Sequence, residues 1–253
     1  MQEVNFQLNK VNCWLQYNKL SLHPDKTTYL IFSRKKTKYY FNIKIGQDTL
    51  KESSETKYLG LLIDNKLSWK PHIKKIKSKL SSTCWALSRI RPYVNDNVLR
   101  NIYFGLIYPH LQYCIVCWGG STQAKDIFIL QKRAIRTIDR KPVTTPSSPI
   151  FNKLNLLKLE DIYKLKLGTM MLKIKNKSWQ GALNYKDIQS IHSHKTRLST
   201  SDNFYIPYVS TNAARCSSYF MGPTFWSTIP NDIKALPQHL FKSNYTKHLI
   251  HLY

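Results

Sequence analysis

TKYLGLLIDNKLSWKPHIKKI, residues 56–76, joins a strand signal, a turn and a helix start in direct succession. Tyr58 to Ile63 is apolar and bounded by polar residues, which predicts a buried strand. Asp64-Asn65-Lys66 is turn chemistry. A basic amphipathic helix follows, entered through Ser68, with Pro71 inside the first turn where its missing N–H costs little. One short segment thus carries a sheet into a helix whose wet face is lysine.

The residues upstream alternate between helix and strand signals. Val4, Leu8, Val11 and Leu15 recur at helical spacing over 3–18, with Trp14 beside the stripe and Pro24 as the breaker. TTYLIFS (27–33) reads as a strand, Arg34-Lys35-Lys36 as an exposed turn, and YYFNIKI (39–45) as a half-buried strand. Gly46-Gln47-Asp48 is a hairpin-like turn. Downstream the period changes. Ile73, Ile76, Leu80, Cys84 and Leu87 form a helical stripe, with Lys70, Lys74, Lys75, Lys77 and Lys79 mainly off it. A second helix is predicted from Asp96 to Tyr108, burying Leu99, Ile102, Tyr103 and Leu106 and stopping at Pro109. A third carries Ile127, Leu130, Ala134 and Ile138, with Lys132, Arg133, Arg136 and Arg140 opposite. KPVTTPSSP (141–149) is a break, helix resumes over 151–175, and a last helix is predicted from Leu240 to Ile250.

These elements predict an α+β fold: a small antiparallel sheet, a mainly helical bundle, and a mixed helical and irregular C-terminal region. The expected domains are 1–66, 67–140, a linker at 141–150, and 151–253.

The chain carries 39 Lys+Arg against 14 Asp+Glu, a formal net charge of +25, at 42% hydrophobic composition. That is a folding composition whose charge calls for a polyanionic partner, nucleic acid first. Residues 66–100 hold nine basic side chains and one acidic, and residues 125–175 hold twelve and four. The excess therefore lies along helical faces, as phosphate-backbone contact requires. Tyr29, Tyr39, Tyr40, Trp69, Trp85 and Tyr93 are candidates for base stacking or for the core. No apolar run is long enough to span a bilayer, and the first residues lack signal-peptide character, so no membrane partner is expected. Five cysteines without a framework suggest free, mostly buried thiols in a reducing intracellular compartment, nuclear or cytoplasmic.

Candidates for chemistry are sparse. Nucleotidyl transfer needs carboxylates holding two divalent metals, yet Asp25, Asp48, Glu52, Glu55 and Asp64 are isolated, and Glu160-Asp161 reads as a helix start complementing the dipole. Cys114–Cys117 is one CxxC without a second half, read as a buried turn, and His192, His194 and Cys216 lack a fourth ligand. No catalytic or metal residue is assigned.

Several blocks resemble the reverse transcriptases of non-LTR (LINE-type, jockey/CR1-like) retrotransposons, in family order. WLQYNKLSLHPDKTTYLIFS (14–33) is similar to the block following their catalytic turn, with His23 where the family usually has Asn. KYLGLLID (57–64) is similar to their primer-grip strand. LSWKPHIKKIKSKL (67–80), LIYPHLQYCIVCWG (106–119) and LQKRAIRTI (130–138) look like thumb blocks. HKTR (194–197), YFMGPTFWSTIPNDIK (219–234) and the terminal FK-x-x-YTKHL resemble the C-terminal extension.

The resemblance implies a C-terminal fragment: end of palm, thumb and extension. It places Lys26 near nucleotide phosphates, Tyr58, Leu59 and Gly60 at the primer end, and the lysine faces on an RNA/DNA template–primer duplex. It implies Mg²⁺ for the whole enzyme, bound by aspartates that would precede this chain's first helix, and the palm and fingers as possible partners. Without those aspartates the chain is expected to hold a duplex and not extend it. The alternative is a non-enzymatic basic nucleic-acid-binding or domesticated interaction module.

Overall fold

The computed structural model describes residues 2–33, 41–46, 48–179, 184–191 and 202–253. Two compact units divide between His72 and Ile73. The expectations for Arg34-Lys35-Lys36, Tyr39, Tyr40, Gln47, His192, His194 and the HKTR block lie outside the described residues.

In the unit Met1–His72, helix α1 (Gln2–Tyr17) holds no fully buried residue. Leu8 and Leu15 are half-buried, whereas Val4 and Val11 of the expected stripe are exposed, as is Trp14. The Asn5 side chain clips α1 to the chain beside it, donating to the Asn42 carbonyl and accepting from the Lys44 N–H at 3.1 and 3.0 Å. Six short strands follow: β1 (Thr28–Tyr29), β2 (Lys44–Ile45), β3 (Asp48–Thr49), β4 (Lys51–Glu52), β5 (Glu55–Tyr58) and β6 (Leu61–Asp64). They form three separate pairs, and β1–β4 is parallel where an antiparallel sheet was expected. The strand expected over 27–33 shortens to Thr28–Tyr29.

The decisive stretch departs from its reading. Tyr58 to Ile63 is not one strand but the tip of an antiparallel hairpin, with Tyr58 opposite Leu61 and Glu55 opposite Asp64. The two loop residues, Leu59 and Gly60, have φ of +45° and +87°. A two-residue hairpin of this hand needs positive φ at both positions. Glycine supplies that freely, whereas leucine pays steric strain for it.

Past β6 the chain is held by one carboxylate. Asp64 is buried and accepts the backbone N–H groups of Ser68 and Trp69, each at 3.0 Å. It bridges two more residues at positive φ, Leu67 and Trp69 (+51° and +61°), just before helix α2 (Lys70–Ile90) begins. Buried His72 accepts the Leu62 N–H at 3.4 Å, tying the helix start to the hairpin.

In the unit Ile73–Tyr253 the stripe Ile73, Ile76, Leu80, Cys84 and Leu87 is buried as expected, and so is Ile127, Leu130, Ala134, Ile138 of helix α6 (Ala124–Ile138). Between them lie α3 (Asp96–Ile102), a π-helical turn (Tyr103–Ile107), α4 (Tyr108–Gln112) and α5 (Ile115–Trp118). The π turn adds a residue to the helical winding. Burial therefore recurs every four residues, at Leu99, Tyr103, Ile107 and Leu111. Leu106, expected in the core, is 56% exposed. Pro109 does not end the helical run; it sits in the first turn of α4.

The segment 141–147 has no regular element, and the helix expected over 151–175 is two, α7 (Ser148–Lys153) and α8 (Leu159–Lys175), parted at Asn155. Short helices α9 (Asn212–Arg215), α10 (Ser218–Thr228) and α11 (Asn231–Lys234) lead to α12 (Gln238–His251). The Gln131 amide, fully buried on α6, unites the bundle. It donates to the Tyr103 hydroxyl and the Leu157 carbonyl and accepts from the Leu159 N–H, all within 3.0 Å. The cysteines do not follow the expected burial: only Cys84 is buried, and Cys13 and Cys117 are exposed.

Burial alone would raise the Asp64 pKa, but the N–H groups of Ser68 and Trp69 outweigh it and hold the carboxyl below the usual aspartate value. A depressed folded-state pKa adds stability above the unfolded value, about 4, and that stability disappears as pH falls through the folded value. Asp64→Asn is therefore expected to cost about 1–2 kcal/mol at neutral pH in denaturant titration. The gap to the wild type should close as pH drops below about 4. A gap independent of pH would show that the carboxylate charge is not what holds this turn.

Candidate nucleic-acid interface

The hairpin tip presents its side chains outward. Tyr58 is 63% and Leu59 71% exposed, on a turn whose backbone is strained at Leu59. Strain of this kind persists where surrounding structure over-determines it and gathers at functional positions. Lys26 closes a 3₁₀ turn (Pro24–Lys26), its N–H donating to the His23 carbonyl at 3.1 Å, and its side chain is exposed. The neighbouring Asp25 pairs with Lys51 at 3.7 Å.

The lysines of α2 divide by their place on the helix. Lys77 meets Asp126 at 2.8 Å and so joins α2 to α6. Lys70, Lys74 and Lys79 are exposed and Lys75 half-buried, and none forms an ion pair among the described residues. A row of unpaired ammonium groups opposite an apolar stripe repels itself, and phosphates relieve that cost.

On α6 the four expected contacts separate in the same way. Lys132 lies over the Phe128 ring at 4.8 Å. Arg136 donates to the Thr145 carbonyl at 2.8 Å. Arg140, at φ +54° just past the helix end, bonds Asp96 at 2.9 Å and reaches the Val94 carbonyl. These two arginines fasten loops to the bundle. Arg133 is exposed and without an ion pair among the described residues.

The aromatic candidates also sort. Tyr29 donates to the Phe41 carbonyl at 3.0 Å, and Trp69 packs edge-on against His72. Trp85 is exposed with Arg89 over its ring at 5.4 Å, and Tyr93 is 86% exposed. The sequence reading placed Asp64 in a turn without its capping role, and Gln131 went unrecognised. For Asp64 a signal exists: an acid closing an apolar strand and followed within six residues by a helix start has the look of a turn-capping residue.

Among the described residues no three His, Cys, Asp or Glu side chains converge. Asp64 is committed to backbone N–H groups, Asp25 to Lys51, and Asp161 to Lys164 and the Tyr253 hydroxyl. These three carboxylates are engaged by contacts within the fold. No helix of the described residues is long and apolar enough to cross a membrane.

No family profile matches the chain, and no solved structure does. Two curated proteins do. A probable RNA-directed DNA polymerase from transposon BS of Drosophila melanogaster is 26% identical over 161 residues, 61% of this chain and 18% of that protein. The RNA-directed DNA polymerase from mobile element jockey of Drosophila funebris is 27% identical over 106 residues, 40% of this chain and 12% of that protein. The chain thus matches less than a fifth of the length of these relatives. Unpaired lysines on a helical face, an exposed hairpin tip and these two relatives agree with the blocks quoted from the sequence: the chain is similar to the RNA-directed DNA polymerases of jockey-like transposons over one part of their length.

Proposed function

We propose that this chain is the part of a non-LTR retrotransposon reverse transcriptase that grips the RNA/DNA template–primer duplex. The observation that carries the reading is that Lys70, Lys74, Lys75 and Lys79 are exposed or half-exposed, without an ion pair among the described residues, and spread over the side of α2 away from its buried stripe. Lysines so placed bind a phosphate backbone without reading bases. Lys77, Arg136 and Arg140 contribute to the fold first, and Lys132 and Arg133 are the α6 side chains left for phosphate. The Tyr58-Leu59-Gly60 tip meets the primer end, and Lys26 faces nucleotide phosphate.

Extension is not the work of these residues alone. The sequence holds no adjacent aspartate pair, and no step through Mg²⁺ belongs to the proposal. The exposed side of α1 (Phe6, Trp14, Tyr17) suits the palm and fingers as its partner, since large apolar side chains gathered on a surface favour a protein contact. The place of work is intracellular, nuclear or cytoplasmic, where such a duplex is made.

Binding of a fluorescent RNA/DNA duplex tests the reading. Lys74→Glu with Lys75→Glu is expected to weaken binding tenfold or more, each reversal adding repulsion to a lost contact. Wild-type affinity in that variant would overturn it. Primer extension with Mg²⁺ or Mn²⁺ is expected to yield no product, and robust synthesis would sink the claim that the chain holds without extending.

The strained tip gives a separate test. Leu59→Asn places a residue tolerant of positive φ in the turn, and should raise stability by about 1 kcal/mol. It should also weaken duplex binding, because the exposed leucine is lost. Greater stability with unchanged binding would make the tip structural alone.

A further inference from the structure

The π turn leaves a groove. Between the second half of α2 and the α3–π segment lies an apolar cleft of about 420 Å³, lined by Ser82, Thr83, Ala86, Ile90, Ile102 and Leu106 with Leu87 at its floor. One wall is a ridge of α2 at spacings of three and four, Lys75, Lys79, Thr83, Ala86, Ile90. The other is Ile102, Leu106 and His110 at spacings of four. Both ridges are aliphatic at one end; at the other the α2 ridge is cationic, at Lys75 and Lys79, and the second ends in His110. Lys79 stands close enough to His110 to act on it: burial first, and then the lysine's charge, lower the imidazole pKa. Leu106 reaches the surface here because the π turn rotates it out of the core.

The Ser82 and Thr83 hydroxyls donate to the Ser78 and Lys79 carbonyls at 3.2 and 3.0 Å. Their lone pairs stay open to a donor in the groove. An occupant therefore needs a flat apolar body, polar edges, and an anion at the Lys79 end. A helix of a partner protein needs a longer run of anchors than Ile102 and Leu106 provide. The volume lies within the range of small-ligand sites.

We propose that this groove seats an unpaired nucleotide of a strand leaving the duplex, its base between Ala86, Ile90, Ile102 and Leu106 and its phosphate at Lys79. The inference rests on the duplex-gripping reading. The lysine ridge of α2 runs on into the groove, so a strand following Lys75 and Lys79 arrives at its basic end. Apolar contact with a base face is sequence-tolerant, so the seat takes any base.

The test compares anisotropy of a blunt RNA/DNA duplex, the same duplex with a short single-stranded overhang, and the single strand alone. The overhang is expected to tighten wild-type binding about tenfold. Ala86→Trp, which fills the groove, should remove that gain and leave blunt-duplex affinity unchanged; Thr83→Glu, which sets a carboxylate beside the phosphate path and one turn from Lys79, should remove the gain with at most a severalfold loss of blunt-duplex affinity. No gain from the overhang in the wild type, or a gain that survives both substitutions, overturns the proposal. So does an acidic amphipathic peptide that binds the groove while the strand does not. If circular dichroism shows Ala86→Trp unfolded, Thr83→Glu on the wet edge decides alone. If the wild type ignores the blunt duplex, the duplex-gripping reading fails by itself. The single strand then decides: binding that Thr83→Glu weakens supports the seat, and binding it leaves intact overturns it.

Discussion

The Asp64 carboxylate is the contact on which the passage from hairpin to helix depends. Its two oxygens take the Ser68 and Trp69 N–H groups and fix a loop in which Leu67 and Trp69 both stand at positive φ. Each left-handed leucine or tryptophan costs about 1–2 kcal/mol against an ordinary conformation. Two charge-assisted hydrogen bonds, each worth roughly 1.5–3 kcal/mol, are of the size to offset that. The loop delivers the chain to the start of α2 at Lys70.

Much of this was legible beforehand, for a simple reason. Apolar spacing reports burial directly, so Ile73 to Leu87 and Ile127 to Ile138 lie where their periodicity puts them. What the pattern could not carry was winding and hand. The run YLGLLI has the composition of a strand whether it continues or folds back; only Gly60 hinted at the turn, and Leu59 argued against it. Leu106 fits an ideal 3.6-residue period, yet the π turn hands its place to Ile107. Positions whose side chains satisfy both readings cannot distinguish them without the neighbouring helices.

Charge was legible as a total and not as an assignment. The sequence shows lysine and arginine opposite each apolar stripe but not which heads the fold itself uses. Lys77 and Arg140 find Asp126 and Asp96 from distant segments, and Arg136 finds a loop carbonyl. These partners are long-range, so no local pattern announces them. The remaining lysines of α2 have no carboxylate partner among the described residues, and a template–primer duplex is the partner proposed for them.

The most direct measurement of that role is the salt dependence of binding to an RNA/DNA duplex. Each phosphate neutralised contributes roughly −0.7 to −0.9 to the slope of log affinity against log salt. The four lysines of α2 other than Lys77 then predict a slope of about −3 or steeper. A flat slope, or no binding at about 50 mM salt where backbone contacts are strongest, would contradict a chain built to grip nucleic acid.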